Sequence, residues 1–167
     1  MELARKREPI SILMADDDPD DCELTREALA ESRLVNQMYR VADGVELMDF
    51  LRHRGQFTDS CNSPRPGLIL LDLNMPRKDG REALREIKGD AGLRSIPVVV
   101  LTTSKAEEDI YRSYDIGANS YVTKPVTFEG LVEIIKTIGR YWFEIVELTS
   151  QQTGSGYAEI SDKSVTG

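Results

Sequence analysis

Residues 68–76 read LILLDLNMP, and this stretch decides the fold class. Its first four residues are all apolar, as in a strand that is covered on both faces, and a polar turn begins at Asp72. Four other short apolar or β-rich runs occur, at residues 10–15, 37–41, 98–101 and 120–122. Segments with helical spacing of apolar residues separate these runs. The alternation predicts an α/β protein with a doubly wound parallel sheet of five strands and with five helices.

The predicted helices carry apolar side chains three and four positions apart. Their marker residues are Leu24, Ala28 and Leu29; Val45, Met48 and Leu51; Ala83, Leu84 and Ile87; Ile110, Tyr114 and Gly117; and Leu131, Ile134 and Ile138. Local signals mark three of the helix starts. Asp18 precedes Pro19, which favours a cap followed by a proline at the first helical position, and the pairs Asp79–Glu82 and Ser104–Glu107 have the spacing of a capping box.

The length of 167 residues predicts one domain with short tails. We expect an N-terminal tail at residues 1–8, a domain at 9–148 and a flexible Ser/Gly/Thr-rich tail at 149–167. The net charge of −8 argues against nucleic-acid and anionic-lipid partners. The two cysteines suit a reducing compartment, and the first apolar run is too short for a signal sequence or a membrane span. A cytoplasmic protein is therefore expected.

The residues that follow the strands are the candidates for a functional site, because ligands of open parallel sheets bind beyond the carboxyl ends of the strands. Each of them has an ordinary alternative role as a turn former, a helix cap or a solvated side chain. Their combination is more informative than any one of them. The set comprises Asp16, Asp17 and Asp18 after the first run, Asp72 after the third, Thr102, Thr103 and Ser104 after the fourth, and Lys124 after the fifth.

Carboxylates that are held close together repel one another and require a cation. Ligands that are all oxygen favour a hard ion such as Mg²⁺, which keeps several waters and accepts phosphate. A carboxylate beside the metal can act as a nucleophile and form an aspartyl phosphate, while the metal, a lysine and a hydroxyl stabilise the transferred group. The pattern thus indicates phosphoryl-transfer chemistry at Asp72.

Four motifs, ILMADDD, LDLNMP, LTTS and YVTKP, together resemble the receiver domains of response regulators, and they occur in the same order and spacing from about residue 10 to 139. The resemblance implies the flavodoxin-like strand order 2-1-3-4-5 and phosphorylation of Asp72 by a phosphohistidine of a partner histidine kinase. It implies direct Mg²⁺ binding by Asp17, Asp72 and the backbone carbonyl of Asn74, with Asp16 acting through water. It also implies that Thr102 and Lys124 contact the phosphoryl group, that Tyr121 is a rotating switch, and that the peptide bond between Lys124 and Pro125 is cis.

A narrower resemblance is carried by LILLDLNMPRKDGRE, LTTSKAEEDIYRSYD and RYWFEIVEL, which look like the small response regulators that accompany bacterial phytochromes. It implies a phytochrome kinase as the phosphodonor and a dimeric protein. The last helical pattern, from Thr127 to Leu148, is also longer than one sheet requires. Its apolar surface predicts a homodimer through the region between Tyr141 and Leu148, although this segment could instead fold back over the core.

Two other functions compete with a phosphorylation switch that is not a conventional enzyme. One is a Mg²⁺-dependent phosphohydrolase, and the short chain argues against it because it leaves little room for a cap domain. The other is a binding module that uses the same fold without phosphorylation, and the complete acidic, threonine and lysine set argues against that. No nucleotide-binding glycine motif is present, and the lone histidine, His53, is expected to be a solvated residue.

Overall fold

The computed structural model describes residues 11–31, 37–59, 61–102, 118, 120–125 and 127–140. Five parallel strands form one sheet: β1 (Ile12–Ala15), β2 (Met38–Val41), β3 (Leu68–Leu71), β4 (Val98–Thr102) and β5 (Ser120–Thr123). Their order in space is β2-β1-β3-β4-β5. The predicted doubly wound parallel sheet with strand order 2-1-3-4-5 is therefore confirmed.

Four α-helices lie in the described ranges: α1 (Pro19–Glu31), α2 (Gly44–Leu51), α3 (Gly80–Gly89) and α4 (Phe128–Gly139). A short 3₁₀ helix covers Gly55–Phe57. The predicted helix around Ile110 and Tyr114 and the capping pair Ser104–Glu107 lie outside the described residues, so α4 corresponds to the fifth helix of the sequence prediction. No helix within the described ranges is both long and apolar enough to cross a membrane.

Strands β1, β3 and β4 have buried side chains on both faces, as their unbroken apolar runs predicted. On β1, Leu13 and Ala15 belong to one hydrophobic cluster, whereas Ile12 and Met14 belong to a second cluster on the opposite face. Strand β3 alternates in the same way, and all four of its side chains are at most 1% exposed. Burying each leucine or isoleucine contributes about 1.5–3 kcal/mol, so these two strands hold the helical layers on both sides of the sheet.

Helix starts follow the local signals. Asp18 Oδ1 accepts a hydrogen bond from the backbone N–H of Asp20 at 2.9 Å, and α1 begins at Pro19. Asp79 accepts hydrogen bonds from the N–H groups of Arg81 and Glu82 at the start of α3. Side-chain acceptors therefore satisfy N–H groups that a helix leaves without partners in its first turn.

One marker of the first helical pattern does not belong to the core. Leu24 is 39% exposed, whereas Cys22, Thr25, Ala28 and Leu29 are the buried side chains of α1. Apolar residues at helical spacing show that a face is apolar but not where the buried stripe ends. Leu24 is rotated by about 100° around the helix axis from the buried Thr25. Leu24 thus lies on the surface, at the edge of the buried stripe.

The long polar connection after α2 is fixed by internal hydrogen bonds. The Ser63 side chain is buried, and its hydroxyl contacts the carbonyl oxygens of Phe57 and Asp59 at 3.0 and 2.7 Å. Phe57 packs on Phe50 with ring centroids 5.2 Å apart. His53 is exposed, as predicted, and one of its ring nitrogens lies 2.8 Å from the Ser63 carbonyl oxygen. The connection thus contributes to packing at one side of the sheet.

Helix α4 buries Val132, Ile135 and Ile138, and it packs mainly against α1. Leu131 and Ile134 are partly buried against the same cluster. Within residues 128–139 the wide apolar surface therefore covers the core. The predicted continuation of the helix to Leu148, the Tyr141–Leu148 interface and both tails lie outside the described residues.

Candidate functional site

Strand pairing brings two carboxylates together at one edge of the sheet. Ala15 and Leu71 are direct partners in the parallel ladder between β1 and β3, and each strand is followed immediately by an aspartate. The N–H of Asp72 donates to the Ala15 carbonyl oxygen at 2.9 Å, which continues the pairing beyond the strands. Asp16 and Asp72 are therefore neighbours although 56 positions separate them along the chain (72 minus 16).

Both carboxylates are buried. Asp16 is only 1% exposed, and Asp72 is 9% exposed. Burial raises the pKa of Asp16 above its ordinary value, against the opposing effect of a hydrogen bond from Lys124. Burial likewise raises the pKa of Asp72, against the hydrogen bond that the Asn74 N–H donates to Asp72 Oδ1 at 3.0 Å. The folded protein therefore holds these charges at an energetic cost.

Lys124 enters the site from the end of β5. Its ammonium nitrogen lies 2.5 Å from Asp16 Oδ2, 2.8 Å from Asp21 Oδ2 and 3.5 Å from Asp72 Oδ2. Burial lowers the pKa of Lys124, but the hydrogen bonds to Asp16 and Asp21 outweigh this effect and raise the pKa above its ordinary value. One ammonium thus contacts three carboxylates. The positive charge of Lys124 is balanced by these partners, whereas a single positive charge balances only part of the negative charge of the acids.

A third aspartate completes a possible metal site. Asp16, Asp17 and Asp72 can each offer one oxygen, and these three oxygens lie within 4.8 Å of one another. The donor set is all carboxylate, and Asp17 is exposed, so the site is open to water on one side. Hard divalent cations that keep part of their water shell prefer such a set. The residues therefore fit a divalent metal.

The loop that follows Asp72 is held by close backbone packing. The Gly80 N–H donates to the Leu73 carbonyl oxygen at 3.0 Å, and a Cβ atom added at Gly80 would lie 2.3 Å from the Asp72 carbonyl oxygen. The start of α3 can therefore approach the acidic strand end only with glycine at this position. This contact fixes the backbone around Asp72 and, through the Asp72–Asn74 hydrogen bond, the turn that carries Asn74.

The structure brings the predicted residues Asp16, Asp17, Asp72 and Lys124 together at one edge of the sheet, whereas their roles stay predictions. The backbone of Thr102 pairs with Thr123, and that of Tyr121 pairs with Val100. Both residues therefore lie on the strands beside the site, but their side chains are outside the described part of the structure. The roles of Thr102 and Tyr121, and the metal contact of the Asn74 carbonyl, are not tested by these contacts.

The cis peptide bond predicted between Lys124 and Pro125 is wrong for this structure. No cis bond occurs among the described residues, which include both partners. A trans bond before proline is intrinsically favoured by about 0.5–1 kcal/mol, and the trans chain already brings the Lys124 ammonium to Asp16 and Asp72.

Sequence reasoning also missed Asp21. This residue lies in the first turn of α1, where an acidic side chain has an ordinary explanation in the helix dipole. Its position could have indicated the contact, because Asp21 lies about one helical turn after the run Asp16–Asp18 and therefore at the same edge of the sheet. Its contact with Lys124 joins residues 103 positions apart, and no local pattern predicts that pairing.

A parallel sheet in this order, with three aspartates and a lysine at its carboxyl edge, defines a receiver-type signalling domain. The chain belongs to the response regulator receiver domain family, which it matches over residues 12–136. It is 44% identical over 140 residues to the response regulator Rcp1 of Synechocystis, covering 84% of this chain and 93% of Rcp1. The family assignment accounts for both the sheet and the acidic edge.

Solved structures give the same relationship. The chain is 45% identical to the phosphorylated cyanobacterial phytochrome response regulator RcpA, with a TM-score of 0.75 over 82% of this chain and 96% of RcpA. It is 43% identical to the Mn²⁺-bound form of Rcp1, with a TM-score of 0.74 and the same coverage. The protein is thus a response regulator of receiver type, related to phytochrome response regulators, in a family that binds divalent metal.

Proposed function

We propose that this protein is a phosphorylation switch that accepts a phosphoryl group on Asp72 from a partner histidine kinase, with Mg²⁺ bound at the acidic edge. The observation that carries the proposal is the position of Asp72, whose carboxylate lies within 4.8 Å of the Asp16 and Asp17 donor oxygens and 3.5 Å from the Lys124 ammonium. A nucleophile, a set of metal ligands and a cation for the incoming phosphate therefore meet at one point.

In the proposed reaction, a carboxylate oxygen of Asp72 attacks phosphorus, and the bond from phosphorus to the histidine nitrogen of the kinase breaks. Asp17, Asp72 and the Asn74 carbonyl would hold Mg²⁺ directly and Asp16 would hold it through water, and the ion supplies charge neutralisation for the phosphoryl oxygens when it is bound. The Asn74 N–H keeps one oxygen of Asp72 engaged and so orients the carboxylate. Lys124 balances the negative charge on the transferred group, and Thr102 would bind one of its oxygens.

The family resemblance supports a phytochrome as the kinase, because the structural relative RcpA is a phytochrome response regulator. A kinase must reach Asp72 from the open side of the site. Leu24 and Phe128, which line one pocket with Lys124 and Asp21, are the large apolar residues that the described surface exposes, at 39% and 36%. Exposed apolar residues in the pocket that Lys124 lines favour a docking partner there.

The proposal has two further parts. The protein signals through another protein chain, with Tyr121 as the switch, and it forms a homodimer through the region between Tyr141 and Leu148. Sedimentation of a truncated chain that ends at Gly139 tests the dimer. We expect the full chain to self-associate and the truncated chain to be a monomer. Self-association of both to the same extent would show that the terminal segment is not the interface. The cytoplasmic location also stays a prediction.

The phosphorylation itself is tested by incubating the protein with acetyl phosphate and Mg²⁺ and measuring its intact mass. We expect the mass of one phosphoryl group to be added to the wild type, and no addition to Asp72→Asn or in the presence of a chelator. An unchanged adduct on Asp72→Asn would refute Asp72 as the acceptor. Rapid turnover of a phosphomonoester would indicate the phosphohydrolase instead.

A further inference from the structure

We propose that Asp21 is a positioning residue that gives Lys124 an acidic partner outside the metal-binding carboxylates and thereby makes the acidic edge available to Mg²⁺. The proposal deepens the proposed function and rests on its metal site. It assigns a role to a side chain that belongs neither to the donor set nor to the phosphoacceptor. The observation behind it is that Lys124 has a third acidic partner on a different structural element from the other two.

The distances show how the ammonium is shared. A lysine ammonium has three N–H donors, and the Lys124 nitrogen lies 2.5 Å from Asp16, 2.8 Å from Asp21 and 3.5 Å from Asp72. The contact with Asp21 is 0.7 Å shorter than the contact with Asp72 (3.5 minus 2.8 Å). Asp21 therefore holds the ammonium on the side of α1, at a distance from Asp72 that is long for a charged hydrogen bond.

Asp21 can keep this contact when a cation is bound. The three oxygens that could hold a metal in the described part of the chain come from Asp16, Asp17 and Asp72, and Asp21 contributes none. A divalent cation competes with Lys124 for Asp16 and Asp72, and the two positive charges repel each other. The Asp21 carboxylate is outside that competition, so it remains available as the partner of the ammonium.

Burial makes such a partner necessary. The Lys124 side chain is only 12% exposed, so water solvates its ammonium only in small part and a hydrogen-bonded counter-charge must supply the rest. Without the Asp21 carboxylate, the metal ligands Asp16 and Asp72 would be the acidic partners left to Lys124 among the described residues. It would then occupy them more firmly, and Mg²⁺ would have to displace a stronger ion pair.

Asp21→Asn tests this role, with Asp20→Asn as the matched control. Both changes remove one negative charge from the first turn of α1, and Asp20 is an exposed residue of that turn. Binding of Mg²⁺ alone to the full chain is measured by titration calorimetry. We expect Asp21→Asn to weaken Mg²⁺ binding about threefold to tenfold more than Asp20→Asn, since coupled neighbours of this kind change affinities by such factors.

The same two substitutions are then made in a Lys124→Gln background. If Asp21 acts through the ammonium, the excess effect of Asp21→Asn should disappear there, and both substitutions should produce the same small change. Equal effects of the two substitutions in the Lys124 protein would overturn the proposal. An excess that persists in the Lys124→Gln protein would also overturn it, because Asp21 would then act through its own charge or through the fold.

This test is separable from the test of phosphorylation. Mg²⁺ affinity is read without a phosphodonor, so a failure of Asp72 to accept a phosphoryl group leaves the calorimetric result interpretable. Conversely, normal phosphorylation without coupling between Asp21 and Lys124 would refute the positioning role of Asp21 and leave the proposed function in place.

Discussion

Removing the Lys124 ammonium should destabilise the metal-free protein, because it leaves buried carboxylates without a counter-charge. Asp16 is 1% exposed and Asp72 is 9% exposed, and Lys124 is the cation that contacts both in the described structure. Loss of one member of a buried ion pair costs about 3–5 kcal/mol. Asp17 is exposed and the Asp21 side chain is 36% exposed, so water reaches part of the cluster. We therefore expect Lys124→Met to lower the free energy of unfolding by about 2–4 kcal/mol.

The assay is thermal and urea unfolding at neutral pH, first with a chelator and then with saturating Mg²⁺. For a domain of this size, about 3 kcal/mol corresponds to a Tm lower by about 6–12 °C. Bound Mg²⁺ supplies the missing positive charge, so the deficit of the variant should shrink when the metal is added. The control is Lys136→Met on α4, where the lysine side chain is 50% exposed and the expected change is within about 0.5 kcal/mol.

Two results would refute this reasoning. If Lys124→Met unfolds like the wild type in chelator, the carboxylates are not held charged by this ammonium. If the variant is destabilised equally with and without Mg²⁺, the loss arises from packing of the lysine chain and not from the charge balance of the acidic edge.

Two other changes follow from the same edge. Gly80→Ala should destabilise the fold by about 1–3 kcal/mol and weaken Mg²⁺ binding, because its Cβ would lie 2.3 Å from the Asp72 carbonyl oxygen; unfolding and calorimetry measure both. The control Gly89→Ala has no atom within 4 Å of the added Cβ and should be neutral or stabilising, so equal losses would contradict the packing argument. Burial raises the pKa of Asp16 and Asp72 above the ordinary 3.8, so without metal their contribution to stability should be lost as pH rises through the folded pKa values and regained as pH falls through them towards 3.8. Urea midpoints check this expectation, and with saturating Mg²⁺, which needs ionised carboxylates, the trend should reverse.

The sequence determined the sheet and most of its acidic edge. Strands such as LILL are apolar at every position, which requires cover on both faces and therefore a parallel sheet between helices. Once that sheet is accepted, its geometry brings the residue after β1 and the residue after β3 together, and Asp16 and Asp72 become neighbours. Helix caps at Asp18 and Asp79 were also readable, because each depends on residues within three positions of it.

Only the tertiary structure decided which partners Lys124 has and which apolar residues are exposed. Asp21 meets Lys124 because α1 and the end of β5 reach the same edge of the sheet, and the two residues are 103 positions apart. Leu24 fits a helical apolar pattern but lies 39% exposed, because the packing of α1 against α4 selects Cys22, Thr25, Ala28 and Leu29 for the core. Periodicity fixes which residues share a helix face, whereas the contacts of that face depend on elements that are distant in the chain.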